Sequence, residues 1–151
     1  MLRLSWLISL GISLMGFLLI GQLFTMKPQD NSGNFGFIGV VFVMPFLILS
    51  LFTTFRYFLT LSRNSRDHML RAVSIVGGVL LIGVFVYFSI DFQQNVLSTL
   101  GETTTDPNLP LLNEYTHKIF FNFYTFGLIH TILGVLGAII GLARPRNTMG
   151  E

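Results

Sequence analysis

Residues 119–142 read IFFNFYTFGLIHTILGVLGAIIGL, 24 positions without a formal charge. At about 1.5 Å of rise per residue, a helix this long covers roughly 36 Å, more than the ~30 Å hydrocarbon core of a bilayer. Such a run is read as a transmembrane helix rather than as a helix of a water-soluble core. Working outward, three further apolar runs occupy 4–24, 35–57 and 72–92. Lys27, Pro28, Asp30, Asn31 and Gly33 separate the first from the second, Arg56 marks an interface near the end of the second, and Asp91 closes the third.

Composition points the same way. Hydrophobic residues make up 52% of the chain and charged residues 11%, with a mean hydropathy of +0.70. A soluble domain carries about a quarter charged residues, so this chain has too little polar surface to coat a globule in water. The expected fold class is an all-α integral membrane protein, a single four-transmembrane-helix bundle of 151 residues. The first run is expected to be retained. It is longer than the ~7–15-residue apolar segment of a signal peptide, and Gly21 to Thr25 offers no small-x-small cleavage site.

Orientation follows from lysine and arginine in the short flanks, which are held on the cytoplasmic side. Arg3, Arg56, Arg63, Arg66, Arg71, Arg144 and Arg146 fall on one side, and only Lys27 and Lys118 on the other. The expectation is a multi-pass protein of the cell membrane with both termini cytoplasmic. It leaves a cytoplasmic loop at 58–71 and a polar outer connection at 93–118. That connection contains helix signals. Residues 92–100 lack a breaker, Gly101 suits a position just past a helix end, and Pro110 suits a first helical turn. Helices three and four are therefore expected to extend on the outer side, the alternative being a helix lying flat on the membrane. Pro45 is expected to interrupt the hydrogen-bond ladder of the second helix at the carbonyl of Val41.

No catalytic pattern stands out. The absence of cysteine excludes disulfides, thiolate metal sites and cysteine nucleophiles. There is no H-E-x-x-H, G-x-S-x-G or phosphate-binding glycine loop, so the reading leans away from an enzyme, and no cofactor is assigned. Nucleic-acid binding lacks a basic aromatic domain.

What remains are faces for helix contact. On the fourth helix Gly127, Gly134, Gly137 and Gly141 lie within roughly 60° of His130 at 100° per residue. Gly137 and Gly141 form a small-x-x-x-small pair, which permits close helix crossing in lipid. Ser5, Ser9, Ser13 and Gly16 form a second stripe on the first helix. His130 lies at mid-membrane depth, where an ionisable group is a candidate cofactor or proton site. The plainer reading is a neutral imidazole bonding a neighbouring helix. Glu114 and His117, with Asp91, are weak metal-ligand candidates, better explained as solvated rim residues. The function expected is a small multi-pass protein acting through helix contacts, an accessory or assembly subunit or a partner of a larger membrane complex. Its partners are then the lipid bilayer and other membrane proteins or further copies of itself. The alternatives are a cofactor- or proton-handling subunit centred on His130, or an oligomeric small-solute transporter or channel.

Overall fold

The structure is a computed structural model and describes residues 2–25, 35–64, 68–100 and 116–143. Every element among them is helical: α1 (Leu2–Thr25), α2 (Phe35–Asn64), α3 (His68–Leu100), α4 (His117–Phe120) and α5 (Phe123–Ala143). Four spans are long and apolar enough to cross a membrane, the fourth made of α4 and α5 together.

Three boundaries differ from the sequence reading. Residues 58–64 and 68–71, expected in a loop, are helical, because α2 runs to Asn64 and α3 begins at His68. The polar and basic residues there mark where the apolar surface stops, and Arg, Leu and Ser continue a helix without strain. The expected outer connection starts later than 93, since α3 continues to Leu100, so helix three does extend past Asp91. Residues 101–115, on which the extension of helix four rests, lie outside the described residues.

The third difference is a break in the fourth span at Phe121–Asn122. Asn122 is buried and serves both sides of it. Its side-chain oxygen accepts from the Thr125 backbone N–H at 2.9 Å, capping α5, while its Nδ2 donates to the carbonyls of Lys118 at 3.1 Å and Ile119 at 3.0 Å. One amide thus satisfies donors and acceptors that a helix interruption would leave bare. Pro45, which has no N–H to give the Val41 carbonyl, does not end its helix. It is exposed, and α2 is helical on both sides of it.

α1 pairs with α2, and α5 lies between α2 and α3. α2 and α5 run parallel, since Ser50 meets His130 while Leu59 meets Gly141. α3 leans on α5 in the antiparallel sense, with Phe85 against Gly127 and Phe88 stacked on Tyr124 at 5.6 Å. α1 and α3 barely meet, which leaves a gap between them over α5. The described core is small: Phe17, Ile20, Phe24, Phe126, Val135 and Ala138 are its buried apolar residues. Most of the remaining apolar side chains face outward.

Candidate functional site

The site forms where α1, α2 and α5 meet. Glycines bring α5 against α2. A Cβ at Gly137 would lie 2.5 Å from the carbonyl oxygen of Phe55, and one at Gly141 would lie 2.6 Å from that of Leu59. Only hydrogen fits between these backbones, the geometry that small-x-x-x-small pairs allow. At Gly134 the neighbour is the Phe58 ring, with a Cβ falling 3.1 Å from it. Gly127, at the edge of the stripe, faces α3 instead, where a Cβ would lie 2.6 Å from the Phe85 ring. The glycine stripe is therefore occupied within the chain, by α2 along most of its length.

Two turns from Gly137 on that face, His130 is 5% exposed and both of its ring nitrogens are engaged. Nδ1 lies 2.8 Å from the carbonyl oxygen of Phe126 in the same helix, and Nε2 lies 2.8 Å from Ser50 Oγ of α2. A carbonyl only accepts, so Nδ1 carries the proton in the neutral ring. Nε2 then accepts from the Ser50 hydroxyl. That hydroxyl also lies 2.9 Å from the Leu47 carbonyl, so if the ring were protonated, Nε2–H could donate to Oγ and Oγ–H to Leu47. The same heavy-atom positions satisfy either state.

The contact belongs to a longer polar seam. The Ser50 carbonyl accepts from Thr54 Oγ1 at 2.7 Å and Thr53 Oγ1 at 3.0 Å. Trp6 Nε1 of α1 donates to Thr54 Oγ1 at 3.0 Å, and Ser9 Oγ lies 2.7 Å from Thr53 Oγ1. Trp6 also stacks on Tyr57 with ring centroids 4.4 Å apart. Three helices are joined through hydroxyls, an indole, an imidazole and the backbone carbonyl of Ser50. Sequence reasoning singled out His130 and Ser9 but missed Ser50, Thr54 and Trp6. Their signal was available, as Ser50, Thr53 and Thr54 are polar residues inside an otherwise apolar run.

The rest of the α1 stripe is spread out. Ser13 is buried and bonds the Leu10 carbonyl at 3.1 Å, Gly16 faces Val43 of α2, and Ser5 is exposed. The metal candidates are not gathered either. Asp91 is exposed on α3, within 3.5 Å of Asn95 Nδ2. His117 is buried and stacked on Phe24 of α1 at 5.4 Å, so it is not the solvated rim residue expected. Glu114 lies outside the described residues, among which no three His, Cys, Asp or Glu side chains come together.

The gap between α1 and α3 is an apolar cleft of about 540 Å³. Trp6, Leu10 and Leu14 wall one side, Val73, Gly77 and Leu81 the other, and His130, Thr131 and Gly134 lie on its floor. Its size falls within the ~300–1,000 Å³ of small-molecule sites. Among the described residues the protein is thus all-helical, with four spans long and apolar enough to cross a bilayer, three of them joined by a polar seam. Comparison with known protein families, characterised proteins and solved structures returned no match.

Proposed function

We propose that this chain is a four-span protein of the cell membrane with both termini in the cytoplasm. It acts through helix contacts, as an accessory or assembly subunit of a larger membrane complex. The charges support the orientation. Arg3, Arg56, Arg63 and Arg71 share one end of the helices, with Trp6 and Tyr57 at the same level, while Asp91 and Lys118 sit at the other. Basic residues are what a cytoplasmic interface carries, and the aromatic pair marks a membrane interface.

The observation that carries the functional reading is the engagement of His130. An imidazole ligates iron or attacks a substrate through a free nitrogen lone pair. Here Nδ1 faces Phe126 and Nε2 faces Ser50, so coordination would first have to displace Ser50. The membrane-depth histidine is arranged as a clamp between helices. Among the described side chains of α3 only Ser89 is buried, and Val76, Leu80, Val84 and Tyr87 form an exposed apolar face turned away from α5. That face is where a partner helix has room to pack.

A photo-crosslinking residue at Leu80, with its host cells irradiated, tests this. A discrete protein adduct is expected, and its absence alongside efficient lipid labelling would overturn the partner reading. The rival reading, proton or cofactor handling, draws on the fit of the Ser50–His130 pair to either protonation state. A Soret band in the purified protein, or proton flux in liposomes abolished by His130→Gln, would favour it.

A further inference from the structure

We infer that the partner on the α3 face is a second copy of this chain, each copy's α1 packing in parallel against the other's α3 about a two-fold axis along the membrane normal. The inference rests on the membrane insertion and the helix-contact reading proposed above, and it says what the partner is. α1 and α3 each carry an outward seam of the same design. On α1 it is Leu4, Ile8, Gly11, Met15, Leu18 and Gln22, and on α3 it is Val76, Leu80, Gly83, Tyr87, Ile90 and Gln94, every one of them exposed. In both, the spacing runs four, three, four, three, four, the repeat of helices that pack side by side at about 20°. The third position of each seam is a glycine where a Cβ would meet nothing within 4 Å, so neither glycine serves a contact inside the described chain.

The seams match in place as well as in kind. α1 and α3 run the same way, because both are antiparallel to α5: Phe17 and Phe24 meet Phe126 and Phe121, while Phe85 and Phe88 meet Gly127 and Tyr124. They are also level. Trp6 packs on Phe58, which lies against Gly134, and the next residue of α5, Val135, lies against Gly78. Five residues on from Trp6 and from Gly78 come Gly11 and Gly83. The α1 seam is turned roughly 130° from Ser9 and Gly16, which meet α2, and the α3 seam roughly 170° from Gly78 and Phe85, which meet α5. Since α1 and α3 stand on either side of the cleft over the α2–α5 pair, both seams open to the same side.

A half-turn on that side lays each α1 on the other copy's α3. Glycine then meets glycine, glutamine meets glutamine, and no seam position is charged. An occupant of this surface must offer two level, parallel apolar seams with a small residue and an amide at matching depths. The chain itself offers both, and a two-fold uses them in one closed, isologous contact. An amide both donates and accepts, so Gln22 and Gln94 satisfy each other across it. The eight large apolar seam side chains are 44% to 72% exposed and present on the order of 900 Å² per chain, close to the ~800 Å² each partner gives a standard interface.

Cysteine crosslinking tests the pairing and its register. Full-length Ile8→Cys and Leu80→Cys chains carrying different tags are co-expressed, and isolated membranes are oxidised with copper phenanthroline. A dimer bearing both tags should form in severalfold higher yield than the dimer from either cysteine alone, because the two-fold sets position 8 against 80 and keeps like positions apart. Ile8→Cys with Tyr87→Cys, two turns out of register, should give no more than the single cysteines. Gly11→Leu with Gly83→Leu should weaken association roughly tenfold or more, read by energy transfer between labelled chains in vesicles. Helical content should stay unchanged, since neither side chain meets the rest of the described chain, whereas alanine would still fit the crossing. Self-crosslinking of Leu80→Cys as strong as its crosslinking to Ile8→Cys, a yield indifferent to register, or undiminished energy transfer in the leucine variant would overturn the second copy. A Leu80 photo-adduct to a different protein without the 8–80 crosslink would also overturn it while keeping the partner reading, and no protein adduct of any kind would overturn both.

Discussion

Gly137→Ala is the sharpest perturbation of the α2–α5 crossing. The added methyl would stand 2.5 Å from the Phe55 carbonyl oxygen, 3.2 Å from its carbon and 3.3 Å from the Leu59 nitrogen. All three are backbone atoms, so no rotamer change relieves the contact. Restoring an ordinary 3.4 Å separation requires the two helices to move apart by about 0.9 Å. Overpacking of this kind costs about 1–3 kcal/mol, and the intrinsic preference of a helix for alanine returns up to ~1 kcal/mol. The net expectation is a loss of roughly 1–2 kcal/mol. Gly77→Ala and Gly83→Ala make the same chemical change where a Cβ meets nothing within 4 Å, so they should be neutral or stabilising by ~0.5–1 kcal/mol. Reversible unfolding in mixed micelles, followed by circular dichroism, measures all three on one scale. Equal effects at Gly137 and Gly77 would refute the close crossing.

Other consequences follow from the seam and the helix break. Ser50→Ala leaves His130 Nε2 without its partner and should destabilise by about 0.5–1.5 kcal/mol, within the range of interhelical hydrogen bonds in membranes. A double-mutant cycle of Ser50→Ala with His130→Phe should return a coupling of similar size, and zero coupling would mean the pair is not bonded. Asn122→Ala should cost about 1 kcal/mol in the same unfolding assay by uncapping α5. Asn122→Asp, which keeps the acceptor for the Thr125 N–H but loses donation to Lys118 and Ile119, should cost less if the cap is what matters. The purified protein should show no Soret absorption, given the engaged nitrogens of His130.

The four spans were legible because length without charge is a one-dimensional signal, and the glycine stripe because 100° periodicity places Gly134, Gly137 and Gly141 together whatever they touch. What they touch was not legible. In a chain this apolar, nothing in the pattern of α5 distinguishes α2 from α1 or α3 as its neighbour, and the parallel α2–α5 pairing joins segments about 80 residues apart. Ser50 was overlooked for the same reason, as a serine in a membrane helix normally bonds its own preceding turn. The break at Asn122 was missed because Phe120, Phe121 and Phe123 keep the local hydropathy high. Asparagine is nonetheless a preferred N-cap residue, and Asn122 marks the start of α5 by accepting from the Thr125 backbone N–H. His117 read as a polar rim residue because an ionisable side chain is normally solvated, whereas stacking on Phe24 holds it inside.

The central claim is a four-span bundle with its arginine-rich end in the cytoplasm. The chain contains no cysteine, so single cysteines report on it without background. Asn31→Cys, Ser65→Cys, Asn108→Cys and Thr148→Cys place one thiol in each connection and beyond the last helix. Treated in intact cells with a membrane-impermeant maleimide, positions 31 and 108 should label, and positions 65 and 148 should label only after permeabilisation. Labelling of 65 or 148 in intact cells, or protection of 31 and 108, would contradict the account.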